Sequence, residues 1–233
     1  GVLPAFATLW VRRRVEEPEL WKRAKASPEK VSVFSAMGGR MLGITAAVTA
    51  MNACCLFGYW GFNSWVPTFL SSAPAQGGMG FSNSAMSGLV FVNQIGMWFG
   101  YVTFGFISDT AGRKRTYVTY LILAALFVWG YTSVRSTALL LVLGPLTAFF
   151  ATGYFSGFGA VTAELYPTAV RATAQGFTYN LGRIASAAAP WLVGDYAKAH
   201  GFPAALTFAA SAFLVAAACW VFIPETKGRT ITS

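Results

Sequence analysis

Long apolar runs separated by short polar segments are the dominant pattern along this chain. Six runs are long enough to cross about 30 Å of hydrocarbon as a helix that rises about 1.5 Å per residue. The predicted spans cover residues of about 41–70, 83–107, 117–134, 138–163, 172–194 and 204–223. The runs do not alternate between apolar and polar residues at every second position, as the strands of a membrane barrel do. The pattern therefore predicts an all-α, polytopic membrane helix bundle with six transmembrane helices.

Composition supports a membrane protein over a soluble one. The chain is 55% hydrophobic and 11% charged, whereas an ordinary soluble domain has about 25% charged residues. The charges cluster between the apolar runs instead of covering a surface. The net charge is +9, but a basic nucleic-acid module carries its charge on a solvated face, which this pattern lacks. We therefore expect a lipid bilayer around the chain and no nucleic acid partner.

The reactive side chains do not form the pattern of an enzyme or of a metal site. Cys54, Cys55 and Cys219 all lie within apolar runs, and their spacing fits neither a disulfide framework nor a metal site. The sequence also lacks a Ser–His or Cys–His pattern and a pair of acids within the spans. We therefore expect no enzyme activity, no cofactor and no metal.

The distribution of Lys and Arg predicts how the spans are oriented. Of the 17 Lys and Arg residues, two lie in loops on one side of the predicted membrane, at Arg135 and Lys198, and Arg183 lies within a span. The others lie on the opposite side, at Arg12, Arg13, Arg14, Lys22, Arg23, Lys25, Lys30, Arg40, Arg113, Lys114, Arg115, Arg171, Lys227 and Arg229. Cytoplasmic loops are enriched in these cations. Both ends of the chain are therefore predicted to be cytoplasmic.

A compact charged turn follows the second predicted span. It reads Gly105-Phe-Ile-Ser-Asp109-Thr-Ala-Gly112-Arg113-Lys114-Arg115. Gly112 can adopt the backbone dihedral angles of a sharp reversal. Asp109 has two possible roles, as an ion-pair partner of Arg113 or as a cap on the positive N-terminus of a neighbouring helix. The residues alone do not decide between these roles.

This turn resembles the G-x-x-x-D-x-x-G-R-[KR] loop signature of the major facilitator superfamily. Glu164-Leu-Tyr-Pro-Thr-Ala-Val-Arg171 is similar to the E-x-x-P-x-x-x-R loop of the sugar-porter and metabolite-symporter branches. Pro224-Glu-Thr-Lys-Gly228 is similar to the P-E-T-K-G segment that follows the last span in those branches. One position departs from the signature, because Thr110 replaces the basic residue that often follows the loop aspartate. The resemblance implies a transporter of small solutes.

The resemblance also implies that the chain corresponds to half of a twelve-span protein. Residues 1–10 resemble the end of a truncated transmembrane helix, and residues 11–40 resemble the cytoplasmic central loop. Residues 41–223 then form the six-helix transmembrane bundle, and residues 224–233 form a cytoplasmic tail. The expected partner is a missing N-terminal six-helix half, and the expected location is the cell inner membrane.

One cation is predicted at the depth of the bilayer. Arg183 lies about midway along the fifth predicted span, and Asn180 lies one turn earlier on the same face. A buried guanidinium can bind a carboxylate through two parallel hydrogen bonds. The alternative is that Arg183 bonds helix carbonyls or a carboxylate of the missing half.

Further polar candidates lie on the first two predicted spans. Asn52, Tyr59 and Asn63 recur at helical spacing on the first span, and Gln94 lies on the second. These side chains would either face a central cavity and bind a solute, or pack against a neighbouring helix. Both roles fit the spacing.

Together these features predict a secondary carrier that moves a small organic anion with a proton by alternating access. A sugar transporter of the same superfamily is the alternative, and a non-transporting membrane nutrient sensor is the alternative from another class. No Asp, Glu or His lies in the middle of a predicted span. Asp109, Glu164 and Asp195 lie near the ends of spans, and His200 lies in an outer loop. The proton-binding carboxylate is therefore expected in the absent half.

Overall fold

The described part of the chain forms a helical bundle. The computed structural model describes residues 2–15 and 39–228, and these residues form helices and turns without a strand. Within them, five helical segments are long and apolar enough to cross a membrane: Leu42–Ser71, Asn83–Ala111, Arg113–Ser133, Thr137–Leu165 and Phe202–Cys219. The prediction of an all-α membrane bundle is confirmed.

The helices have the following bounds. In chain order they are α1 Leu3–Arg14, α2 Leu42–Asn63, α3 Val66–Ser71, α4 Asn83–Ala111, α5 Arg113–Ser133, α6 Thr137–Thr152, α7 Phe158–Leu165, α8 Arg171–Ser186, α9 Ala189–His200 and α10 Phe202–Cys219. Short 3₁₀ turns cover Gly39–Met41, Pro74–Gln76 and Gly153–Gly157. The pairs α2–α3 and α6–α7 each make one long segment, which corresponds to the first and fourth predicted spans.

The fifth predicted span differs from a single continuous helix. It consists of α8, with 16 residues, and α9, with 12 residues, which are separated at Ala187 and Ala188. Pro190 lies in the first turn of α9. It has no backbone N–H to donate to the carbonyl of Ser186, and its ring crowds that carbonyl. Pro190 therefore explains the break between α8 and α9. The apolar pattern did not predict this break, because a proline does not interrupt an apolar run.

The first helix also ends later than predicted. Helix α1 runs to Arg14, four residues beyond the predicted limit of residue 10, and includes all three arginines in its last turn. Cations at a helix C-terminus interact favourably with the helix dipole, so the basic cluster extends the helix. Most of the predicted central loop, and the end of the predicted tail from Arg229, lie outside the described residues.

Helix packing brings α2 to the centre of the bundle. Helix α2 contacts α8, α9 and α10, while α5 contacts α6 and α10, and α4 packs along α6. An aromatic core connects these layers. The Tyr117 hydroxyl on α5 donates to the carbonyl of Tyr154 at 2.8 Å, and its ring lies 4.7 Å from that of Trp220. The side chains of Tyr117 and Trp220 are both fully buried.

Candidate functional site

Arg113, the first residue of α5, joins several segments at the end of the bundle that carries the predicted cytoplasmic loops, which we call the basic end. Its guanidinium donates to Glu164 Oε1 at 3.0 Å and to Ser108 Oγ at 2.8 Å, and it forms an ion pair with Asp109. The side chains of Arg113 and Glu164 are each 15% exposed, whereas that of Asp109 is 63% exposed. Arg113 therefore holds the ends of α4, α5 and α7 together.

Glu225 caps the N-terminus of α5. Its carboxylate accepts from the backbone N–H groups of Arg113 at 2.9 Å and Lys114 at 3.1 Å. Gly112 precedes the helix with φ of +101°, and a Cβ there would lie 2.8 Å from Glu225 Oε2. Of the two roles left open for Asp109, the structure has the ion pair with Arg113, and Glu225 supplies the cap.

The environment of Glu225 favours its charged form. Partial burial alone would raise the pKa of its carboxyl. Hydrogen bonds from four backbone N–H groups outweigh this effect and lower the pKa; they come from Lys227, Arg113, Lys114 and Thr226. The net result is a pKa below the ordinary value for Glu. An anion at a helix N-terminus is stabilised by the positive end of the helix dipole.

The three motif segments contact one another through this network. The Thr226 hydroxyl donates to Glu164 Oε2, the Lys114 ammonium donates to the carbonyl of Ile223 at 3.3 Å, and Lys227 donates to the carbonyl of Thr110. We name Asp109, Arg113, Glu164, Glu225 and Thr226 the basic-end network. Glu225 lies in the Pro224–Gly228 motif, but the sequence did not predict it as a site residue. The sequence did contain a signal for such a cap. The first turn of α5 has no acidic residue of its own, so a carboxylate that caps it has to come from another segment.

Two other residues of the motifs lie beside this network. Arg171 donates to the carbonyl of Ala163 at 2.9 Å and to the Thr168 hydroxyl at 3.1 Å, so it closes its own turn between α7 and α8. The carbonyl of Gly105 accepts from the Ser108 hydroxyl at 3.0 Å. A Cβ at Gly105 would meet no atom within 4 Å, so no close helix approach requires glycine there.

A cavity of about 350 Å³ lies between α2, α4, α7 and α8. We call it the main cavity because it adjoins the predicted site, although a larger one of about 900 Å³ lies beside Trp65, Gly194 and Pro203. Aromatic rings make up most of the wall of the main cavity, and the glutamine amide on α8 adds a polar group. The lining residues are Leu56, Tyr59, Trp60, Tyr101, Phe155, Phe158, Gly159, Gln175 and Tyr179. Such a wall offers flat apolar faces with a few hydroxyl and amide groups, which suits a planar organic solute.

A smaller cavity of about 140 Å³, which we call the side cavity, lies between α2, α3, α4 and α6. Tyr59 lines both cavities, so the two adjoin at its ring. The candidates Asn63 and Gln94 both line the side cavity. The structure thus brings Tyr59, Asn63 and Gln94 together around one space.

The remaining candidates occupy different positions. Asn52 is buried beneath α8, where a Cβ at Gly182 would lie 3.0 Å from Asn52 Cβ, so this candidate packs between helices. Asn180 is exposed and donates to the carbonyl of Gly176 on its own helix at 2.8 Å. Arg183 is exposed, and its guanidinium has no hydrogen bond or ion pair with any described residue, whereas its backbone carbonyl accepts from the Ser186 hydroxyl at 3.0 Å.

Known proteins match the chain along most of its length. A family model described as the Major Facilitator Superfamily matches residues 48–233. The Haemophilus influenzae protein named "Putative metabolite transport protein" is 29% identical over 99% of this chain and 58% of its own length. The Cupriavidus pinatubonensis protein named "Probable 4-methylmuconolactone transporter" is 29% identical over 99% of this chain and 53% of its own length.

A third relative is the cis,cis-muconate transport protein of Acinetobacter baylyi, which is 29% identical over 85% of this chain and 49% of its own length. The chain therefore spans about half the length of the curated relatives it matches. The helical bundle, the three motif segments that meet at the basic end and the match over residues 48–233 lead to one conclusion: this chain belongs to the Major Facilitator Superfamily, a family of transporters rather than enzymes.

Proposed function

We propose that the full-length protein is a secondary carrier that moves a small organic anion by alternating access. This chain would supply one six-helix half, and the missing N-terminal half would complete the site. The observation that carries the proposal is the unpaired guanidinium of Arg183, which lies on the helix that also lines the main cavity.

Arg183 does not line that cavity itself, but it lies one helical turn from a residue that does. Tyr179 lines the cavity, and Arg183 follows it by four residues, so the two side chains lie on neighbouring positions of one helix face. Gly182, the preceding residue, packs directly on α2. A carboxylate bound to Arg183 would therefore leave the rest of a solute facing the aromatic wall.

An unpaired cation within a membrane span is unfavourable by about 3 kcal/mol at the bilayer centre. A carboxylate that binds through two parallel hydrogen bonds offsets this cost. Two of the relatives have names that specify carboxylic acids, cis,cis-muconate and 4-methylmuconolactone. These names support an anionic substrate over the sugar alternative and over a non-transporting sensor.

The proposal also covers orientation and coupling. The basic end carries Arg113, Lys114, Arg115, Arg171 and Lys227, which supports a cytoplasmic position for that end in a bacterial inner membrane. We further propose that a proton accompanies the anion. Asp109 and Glu164 belong to the basic-end network, so the proton-binding carboxylate would lie in the N-terminal half.

The substitution Arg183→Gln in the full-length protein tests the proposal. Uptake of labelled cis,cis-muconate and 4-methylmuconolactone into proteoliposomes should fall at least about tenfold at low concentration, because the charge-assisted pair is lost. Arg183→Lys should retain part of the uptake, since it keeps the charge without the planar fork. Lys198→Gln removes a cation whose side chain is 80% exposed, on the side of the predicted membrane opposite the basic end, and serves as the control.

Unchanged affinity for both acids in Arg183→Gln would contradict the proposal. Uptake of glucose by the wild-type protein, with the same rate in Arg183→Gln, would favour the sugar alternative. Binding of an acid without uptake under any imposed proton gradient would favour the sensor.

A further inference from the structure

The wall of the main cavity carries neutral polar groups that are not used within the fold. Four lining residues have a side-chain hydroxyl or amide, and none of these groups forms a hydrogen bond with a described residue. The four are Tyr59, Tyr101, Gln175 and Tyr179. No Arg, Lys, His, Asp or Glu is among the lining residues. The cavity can therefore offer hydrogen bonds to a solute, but it offers no counter-charge.

Gln175 provides the single side-chain amide among the residues that line this cavity. It lies on α8 and is partly buried. A Cβ at Gly159 on α7, which also lines the cavity, would lie 3.1 Å from Gln175 Nε2. The amide thus reaches from α8 to the wall that α7 forms, where a glycine leaves room for it. An amide has N–H donors and an acceptor oxygen, so it can bind either a carbonyl or a hydroxyl.

The spacing along α8 relates this amide to Arg183. Gln175, Tyr179 and Arg183 follow one another at intervals of four residues, which makes their side chains successive neighbours on the helix surface. The backbone positions of Gln175 and Arg183 are about 12 Å apart along the helix axis. Helical side chains lean towards the N-terminus, so the long Arg183 side chain shortens this interval. A compact ring compound fits between the two groups and lies against the Tyr179 ring.

We propose that Gln175 is a specificity-determining residue, whose amide binds an uncharged hydrogen-bonding group at the end of the substrate opposite its carboxylate. The inference rests on the proposed function, because Arg183 binds the carboxylate of the same anion. Arg183 accepts any small carboxylate, whereas Gln175 distinguishes acids by their other end. An acid with an apolar group at that end displaces water from the amide and gives it no new partner, which is unfavourable.

Two acids of similar shape separate these cases. 4-Methylmuconolactone carries one carboxylate and a neutral lactone ring, whereas (1-methylcyclopentyl)acetate has methylene groups in place of the ring ester. Titration calorimetry on the purified full-length protein should give a dissociation constant about tenfold lower for the lactone than for the apolar acid. In Gln175→Leu the lactone should lose about tenfold in affinity while the apolar acid is unaffected, which brings the ratio close to one.

A second measurement distinguishes recognition from a structural role. Without ligand, Gln175→Leu should melt at the wild-type temperature or above it, because the amide has no hydrogen bond with a described residue to lose. Gln76→Leu makes the same change at an exposed position of the 3₁₀ turn after α3, outside the main and side cavities. This control should alter neither the affinity ratio nor the lactone affinity.

The outcomes that overturn the role of Gln175 are specific. Equal wild-type affinities for the two acids, or a lactone preference that persists in Gln175→Leu, would contradict it. A lower melting temperature with an equal loss of both affinities would make the side chain structural. Arg183→Gln should weaken both acids and keep their ratio, so a failure of the anion proposal is seen in that variant and a failure of the specificity role in Gln175→Leu. If neither acid binds the wild-type protein, both proposals are contradicted.

Discussion

Arg113 and Arg183 carry the same guanidinium group in opposite environments. Arg113 has Asp109, Ser108 and Glu164 as partners, so its charge is used within the fold. The guanidinium of Arg183 has no partner among the described residues. A paired cation stabilises the arrangement that pairs it, whereas an unpaired one retains its capacity for a ligand. The presence or absence of protein partners therefore distinguishes the structural role of Arg113 from the proposed substrate-binding role of Arg183.

Glu225 provides a residue-scale prediction about pH. Its folded-state pKa is lowered, so its contribution to stability is present above the ordinary Glu pKa and is lost as the pH falls through the lower folded value. Glu225→Gln should therefore melt below the wild-type protein at neutral pH. The side chain is largely exposed and solvent screens it, so we expect a loss of about 0.5 kcal/mol.

Thermal melting of both proteins across a pH series tests this expectation. The difference between them should be constant at neutral pH and should shrink as the solution becomes more acidic than the ordinary Glu pKa. Asp195→Asn is the matched control, because Asp195 forms only an exposed pair with Lys198 at 3.5 Å. A difference for Glu225→Gln that grows toward acid would contradict the assigned role of the carboxylate.

At the scale of the element, the contact between α4 and α6 depends on a glycine. A Cβ at Gly96 would lie 2.1 Å from the carbonyl oxygen of Pro145, which is inside α6. Small residues allow membrane helices to approach closely and gain van der Waals contact. Gly96 therefore sets the distance between these helices and, through Asn93 one turn earlier, the position of the side cavity.

The substitution Gly96→Ala should destabilise the full-length protein by about 1 to 3 kcal/mol, because the helices must separate to admit the methyl group. Gly88→Ala on the same helix is the control. A Cβ there meets no atom within 4 Å, and alanine favours the helix, so stability should stay equal or rise slightly. Equal melting temperatures for the two variants would contradict the close approach.

The elements were predictable where local sequence determines them. Six apolar runs gave five of the spans within a few residues, because burial in lipid requires length and hydrophobicity and little else. The third span begins at Arg113 instead of residue 117, because a carboxylate 112 residues away along the chain caps it. The break before Pro190 depends on one residue within an apolar run. Long-range contacts of this kind leave no periodic signal.

The candidate site was predictable in part for the same reason. Helical spacing placed Tyr59 and Asn63 on one face, and both line a cavity. The same spacing placed Asn52 on that face, but Gly182 of α8 covers it. Which part of a face is covered depends on the crossing point of another helix. Asn93 also lines the side cavity, but the sequence does not single it out, because its surroundings arise only when α6 packs beside it.

At the scale of the whole molecule, the basic-end network joins segments that are far apart in sequence. The turn after α4, the end of α7 and the tail after α10 meet at Arg113 and Glu225. If the protein works by alternating access, this end must open and close as the halves move. The Arg113–Glu164 pair is then a contact within one half that keeps the half rigid during that motion.

A double-mutant cycle measures this coupling in the full-length protein. Arg113→Gln, Glu164→Gln and the double variant should give an interaction energy of about 1 to 3 kcal/mol from thermal unfolding, since both side chains are only 15% exposed. The cycle of Arg113→Gln with Asp109→Asn shares the same arginine but involves a carboxylate that is 63% exposed. Its interaction energy should be about 0.3 to 0.5 kcal/mol, because solvent screens an exposed pair four residues apart. Equal energies in the two cycles would mean that burial does not strengthen the contact with Glu164, and that rigidity at the basic end comes from helix packing alone.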